Sequence, residues 1–296
     1  MLQEGIVSTA IKKILPVFLV LILSLAFIGC AEAGPAEEEL TQEEIQEIVA
    51  QAASTTAAVD SSKFDVQLSM VVEAIGGAGA GKVTISTDST GIMDNANEEM
   101  QMSMGMSMDI PDEGKQEVTM ELYSVGGWMY AKIGMPGADA GWTKAAVDTE
   151  LLKSMDQVAQ QVALLETATN ISLLGRESVR GVDCYVVEIE PSAEAVANSI
   201  GQQGSSVTGA MDISEFIDLF KDLSVKEWIA VESYLLMKST IGMSMDASAA
   251  DVGAAEEDFE RMTMDINAEF EAYGYNEQVS IEVPEEALGA SEVPGL

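Results

Sequence analysis

Two sets of side chains in this 296-residue chain have types and spacings that could do chemistry. The first is a single thiol, Cys30, which closes the apolar run Ile14–Gly29 that follows Lys12 and Lys13. A helical span of a bilayer takes roughly 20 apolar residues; this run is shorter and carries Pro16, so it reads as an export signal rather than a membrane span. Cleavage before Cys30 would expose it as a new N-terminus, to be acylated on sulfur and on nitrogen. The second set is methionine. Met100, Met102, Met104, Met106 and Met108 occupy every other position. Thioethers are soft ligands that suit Cu(I), and they are also pliant apolar groups that adapt to varied apolar partners. Other chemistry has less to work with. The chain has no histidine, which removes Ser-His and Cys-His pairs, imidazole bases and His-ligated zinc. It has no P-loop, no D-x-D-x-D-G metal loop and no G-x-S-x-G. No catalytic residue, resident metal or cofactor is assigned, and the chain is read as a non-enzyme.

Cys30 ends the tetrapeptide Phe27-Ile28-Gly29-Cys30, which resembles the lipobox of bacterial lipoproteins, Leu-(Ala/Ser/Ile)-(Gly/Ala)-Cys, with Phe27 as the departure. The resemblance implies a palmitate-type anchor on Cys30 and an extracytoplasmic location, on the outer face of the cytoplasmic membrane or in an outer membrane where the envelope has two. An uncleaved anchor, or a plain secretory signal with a chance cysteine, is the alternative. The formal net charge is −36, and −37 without residues 1–29. That excludes nucleic acid as a partner, because such binding is built on Lys/Arg contacts to phosphate. It also argues against a domain lying flat on anionic lipid. With Cys30 acylated, Cys184 has no intrachain partner and reads as a buried small hydrophobe in a strand.

The elements that would position these groups follow from hydrophobic period. Residues 1–29 are the signal peptide and 30–40 an acidic tether. Residues 41–288 form one domain, and 289–296 a mobile tail. Thr41-Gln42-Glu43-Glu44 is a capping box ahead of Ile45, Ile48, Val49 and Ala52, predicting an amphipathic helix to about Ala58. The period then drops to two. Phe64–Val72, Met100–Ile110, Val118–Leu122 and Trp128–Ile133 read as strands, with Gly76–Gly81 and Gly126-Gly127 as turns. Helices are expected over Thr149–Leu165, Ser192–Ile200 and Ile213–Leu223. Further strands are expected over Ile171–Val179, Asp183–Glu190, Trp228–Val231, Leu235–Met245, Met262–Phe270 and Val279–Val283. The class is α+β: a large curved antiparallel sheet with helices over its apolar concave face.

Four segments carry a resemblance to the LolA/LolB superfamily, in particular to LppX/LprG-type exported lipoproteins, many of unknown function. They are Gly127–Lys132 with Gly141-Trp142-Thr143-Lys144, the hairpin Gly175–Val187, Glu227–Ala230 with Tyr234–Lys238, and Tyr275–Pro284. The resemblance implies a half-open β-barrel with helices plugging its apolar side and a cavity for a lipid or other hydrophobic ligand. The inward positions of the predicted strands then nominate the cavity lining: Met70, Met100, Met102, Met104, Met106, Met108, Met120, Met243, Met245, Met262, Met264, Ile266 and Phe270. Two other readings stay open. One is an envelope scaffold with a filled core and an acidic face for a protein partner. The other is a Cu(I)-binding lipoprotein that uses the Met100–Met108 strand.

Overall fold

The computed structural model describes residues 40–77, 80–111, 114–139, 141–147, 156–168, 170–190, 219–252 and 259–293. Cys30, the signal peptide and the helix expected at Ser192–Ile200 lie outside the described residues. The first helix, α1 (Gln42–Ala57), buries Ile45, Ile48, Val49, Ala52, Ala53 and Thr56, a stripe at helical spacing, and carries Glu43 and Glu44 in its first turn. A long run of strands follows: β1 (Ser61–Ile75), β2 (Gly81–Asp94), β3 (Glu99–Ile110), β4 (Gly114–Val125), β5 (Trp128–Met135), the two-residue β6 (Ala138–Asp139) and β7 (Thr143–Ala146). After α2 (Gln157–Glu166) come β8 (Asn170–Val179), β9 (Val182–Glu190), β10 (Phe220–Ala230), β11 (Leu236–Ser248) and β12 (Arg261–Tyr273), then α3 (Glu285–Leu288) and β13 (Ser291–Glu292).

All the strands belong to one sheet, in the order β13-β7-β5-β4-β3-β2-β1-β12-β11-β10-β9-β8, with β6 beside β5. Every pairing is antiparallel except β13 on β7. The path is open, with β8 at one margin and β7 with β13 at the other. The architecture is therefore the α+β, unclosed, curved sheet that the alternating pattern predicts.

Local chemistry explains the hairpins. Arg180 and Gly181, at φ 50° and 84°, form the two-residue link between β8 and β9, a turn whose mirror-image twist suits adjoining strands. Gly175, at φ 142°, sits where the β8–β9 register shifts, a bulge that only glycine accommodates freely. These two positions account for the glycine spacing of the Gly175–Val187 hairpin.

One strand goes unanticipated: Lys82–Asp94 carries no clear period, because its inward positions include Thr87, Ser89 and Gly91, yet it belongs to the full strand β2. Two expectations need correction. From Phe220 onward the helix expected over Ile213–Leu223 is instead β10, whose edges are taken up by β9 and β11. Val279–Val283 is not a strand, and the short β13 lies where the tail 289–296 is expected. The helix expected from Thr149 is described from Gln157, with Asp156 as its N-cap accepting the Ala159 amide at 3.1 Å.

The core is anchored where β1 crosses β2. Phe64 is 1% exposed and stacks on Phe270 at 6.4 Å between ring centroids. Its ring lies over Gly91, the residue opposite on β2, so that a Cβ there would fall 2.2 Å from the ring. Val158 of α2 packs on the same pair of rings, which is how the helix is seated on the sheet. Gly91→Ala should therefore cost about 1–3 kcal/mol through overpacking, read from urea unfolding. Adding Phe64→Leu should recover part of that loss, and a Gly91→Ala protein as stable as its parent would refute this seating.

Candidate functional site

Residues directly opposite in an antiparallel pair share a face, so the register can be followed across the sheet. One rung runs Val187, Glu227, Ser239, Phe270, Val66, Ser89, Met104, Met120, Ile133, from β9 to β5. The rung two residues further up reads Ile241, Ala268, Leu68, Thr87, Met106, Val118, and the next Met243, Ile266, Met70, Ile85, Met108. Above these lie Met245, Met264, Val72 and then Ala247, Met262, Ala74. All thirteen residues nominated from the sequence therefore stand on one face. Met93, opposite Met100, and Met129, opposite Ser124, belong to it as well. Met135, two residues beyond Ile133 on β5, is a further one, so fourteen of the chain's eighteen methionines are on this side of the sheet, which makes it a methionine surface and not an ordinary Leu/Val core.

The face is covered unevenly. Met100 packs with Met93, Leu122, Met129 and Ala131, while Met245 and Met264 pack together with Ala247. Phe270 is buried with Phe64 and Val158. Between these clusters Met70, Met102, Met104, Met106, Met108, Met120, Met243, Met262 and Ile266 are only half-buried. At the β5 margin the face comes into the open, with Ile133 44% and Met135 52% exposed. The described helices α1 and α2 lie against each other and reach β8, β10 and β11. Polar ties seat α1: the Leu236 amide donates to Thr56 Oγ1 at 3.0 Å, and Gln42 Nε2 donates to the Ile171 carbonyl at 2.9 Å. A groove of about 670 Å³ runs beside α1, lined by Val49, Ala50, Ala53, Ala57, Leu165 and Ile171 among others.

One acidic residue on this face was not nominated from the sequence. Glu227 is wholly buried, between the inward-facing Val225 and Ile229 of β10. Its Oε1 accepts from Ser239 Oγ at 3.1 Å, and its Oε2 has no partner among the described residues. Burial raises its carboxyl well above the usual range and so favours the protonated form; the Ser239 hydrogen bond opposes this only partly. Tyr275, which donates to the Leu236 carbonyl, is raised as well, by burial first and then by the nearby Glu227 and Asp156. An acidic residue at an inward position of an alternating strand was the signal available in the sequence.

The opposite face is polar. Arg180 pairs with Glu271 at 2.9 Å and with Asp65, and lies over the Tyr273 ring. Lys238 pairs with Glu269 at 2.7 Å and lies over Trp228, whose indole donates to Glu177 Oε2 at 2.9 Å. A shallow groove of about 600 Å³ on this side is lined mainly by small polar groups, including Gln67, Ser69, Ser86, Asp88, Thr240 and Asn267. Cys184 is buried, and burial pushes its thiol up to about 11, which leaves it unreactive at neutral pH. Among the described residues no three His, Cys, Asp or Glu side chains gather as a metal group, and no helix is long and apolar enough to cross a membrane.

Fold and face together define an open antiparallel sheet whose helix-capped side is paved with methionine. The chain belongs to a family of unknown function (DUF6612), whose pattern matches residues 44–292. No curated protein matches it. Among solved structures it is similar to the lipoprotein LppX of Mycobacterium tuberculosis, at 16% identity and a TM-score of 0.40, over 82% of this chain and 100% of that one. It is also similar to LprF of Mycobacterium bovis, at 14% identity and a TM-score of 0.47, over 82% of this chain and 97% of that one.

The buried carboxyl sets a pH dependence. An unfolded glutamate titrates near pH ~4.3, whereas folded Glu227 keeps its proton to higher pH. Above that pH the folded chain binds the extra proton, so this group's contribution to stability falls as pH rises toward the raised value. Glu227→Gln removes the titration. Its stability advantage over the parent should widen from pH 5 to pH 8, by up to about 1 kcal/mol per pH unit, in urea unfolding. An advantage equal at both pH values would show that Glu227 is not held protonated by the fold.

Proposed function

We propose that this protein is an exported, lipid-anchored, non-enzymatic carrier that binds or shuttles a lipid or other hydrophobic molecule at the cell envelope. The observation that carries the reading is the single methionine face, half-buried at its centre and open at the β5 margin. Methionine is unbranched and polarizable, so a surface made of it fits apolar chains of different shape. Each methylene removed from water against such a surface contributes about 0.8 kcal/mol. A tail of a dozen methylenes therefore gives ample drive for uptake without any specific polar contact. The two helices contribute a cover, and a ligand takes their place or slips beneath them. The LppX and LprF neighbours, the first described as a lipoprotein, are consistent with this assignment. Cys30 supplies the anchor, and two or more acyl chains make such an anchor stable where one does not.

Two measurements test this. Met104→Glu with Met108→Glu places two carboxylates on the half-buried part of the face, where each keeps contact with solvent. Uptake of the neutral dye N-phenylnaphthylamine should fall at least tenfold while circular dichroism is unchanged. Undiminished uptake by the folded double variant would remove the methionine face from the binding site, and a parent protein that takes up no dye but gains the mass of Cu(I) would favour the copper reading. Separately, Cys30→Ala should move the protein from the membrane fraction to the soluble exported fraction. Retention on the membrane would show an anchor other than acylated Cys30.

A further inference from the structure

The buried carboxyl on the apolar face is unaccounted for by a purely greasy binding surface. Glu227 lies on the same rung as Phe270, Met104 and Met120, with its Oε2 unpartnered and its whole side chain out of water. An unpartnered buried polar atom costs about 1–3 kcal/mol, and an apolar residue of similar size at this position would avoid that cost. Gln161 Oε1 on α2, one turn from the Val158 that packs on Phe270, and Ser62 Oγ on β1, two residues before Phe64, are also buried without a partner. On the rung from Val187 to Ile133, Glu227 is the one ionisable side chain.

From this geometry we infer that Glu227 is the polar anchor of the ligand site and that the ligand is a neutral lipid with an ester or hydroxyl group at the end of its acyl chains. The inference rests on the carrier reading and narrows it. A protonated carboxyl donates one hydrogen bond to an ester carbonyl or a hydroxyl. A carboxylate or phosphate head would put an ionised group in a poorly solvated place near Asp156, in a chain of net charge −36. From β10 to β1 there are three strand spacings, about 14 Å along the sheet, close to the half of a roughly 30 Å hydrocarbon core that one acyl chain fills. A head at Glu227 therefore lets its tail run along the rung past Phe270 to Val66.

The test uses the full chain and three radiolabelled probes: dioleoylglycerol, oleate and squalene. The parent should bind dioleoylglycerol at least tenfold more tightly than oleate. Glu227→Leu, which removes the carboxyl and leaves an apolar side chain in its place, should lose at least tenfold for dioleoylglycerol and keep its affinity for squalene. Glu227→Gln, whose amide still donates, should restore most of the loss. If Glu227→Leu binds dioleoylglycerol as well as the parent does, or if the parent prefers oleate, the anchor assignment is overturned while the carrier reading stands. If the parent binds none of the three, the carrier reading itself falls and the anchor with it.

Discussion

The constraint on which everything else depends is the pleat of an open sheet. Successive side chains point to opposite sides, so every strand that alternates apolar and polar residues adds to one greasy face and one wet one. Closing the sheet would hide the greasy face inside a barrel, but this sheet ends at β8 on one side and at β7 with β13 on the other. The apolar face must therefore be covered by something else. Two described helices do part of it, fixed by Val158 on the Phe64–Phe270 pair and by the Thr56 hydroxyl on Leu236. The wet face meets a different demand. In a chain with 50 acidic and 14 basic residues, Arg180 and Lys238 are spent on bridging carboxylates of neighbouring strands, and each also rests on an aromatic ring. Exposed pairs of this kind contribute little singly, but here they relieve like-charge repulsion between adjacent β1, β11 and β12.

Much of this was legible in the sequence because alternation is a strong signal where both faces obey it. Met100–Ile110 and Met262–Phe270 never break the period, and the register places their methionines together as the pattern requires. Where one face fails to obey, the signal disappears. β2 puts Thr87, Ser89 and Gly91 on the apolar side, Gly91 because Phe64 fills the space above it. No periodicity rule anticipates a glycine whose side chain is supplied by its neighbour. The first turn of β10 was lost for a different reason. Phe220–Leu223 follows residues with helical spacing, and only pairing with β11 makes it a strand, a tertiary preference that overrides a local one. β13 pairs through two residues with β7, too few to leave a pattern.

Glu227 shows where such reading stops for a more interesting reason. The alternation of β10 marks its position as inward, between Val225 and Ile229, yet the residue is acidic. Consistency between pattern and composition is what specifies a fold, and departures concentrate where something other than folding is required. The departure here is costly, since one carboxyl oxygen is left without a partner and burial disfavours its ionised form. It is also well placed: on the rung that carries Phe270, Met104 and Met120, beside the helix that covers one end of the face, and far along that rung from the exposed margin at Ile133. A surface of methionine alone would hold any chain in any direction. One neutral hydrogen-bond donor at its covered end gives that surface a polarity, so that the head of a ligand has one place to go and the tail the apolar face beside it to fill.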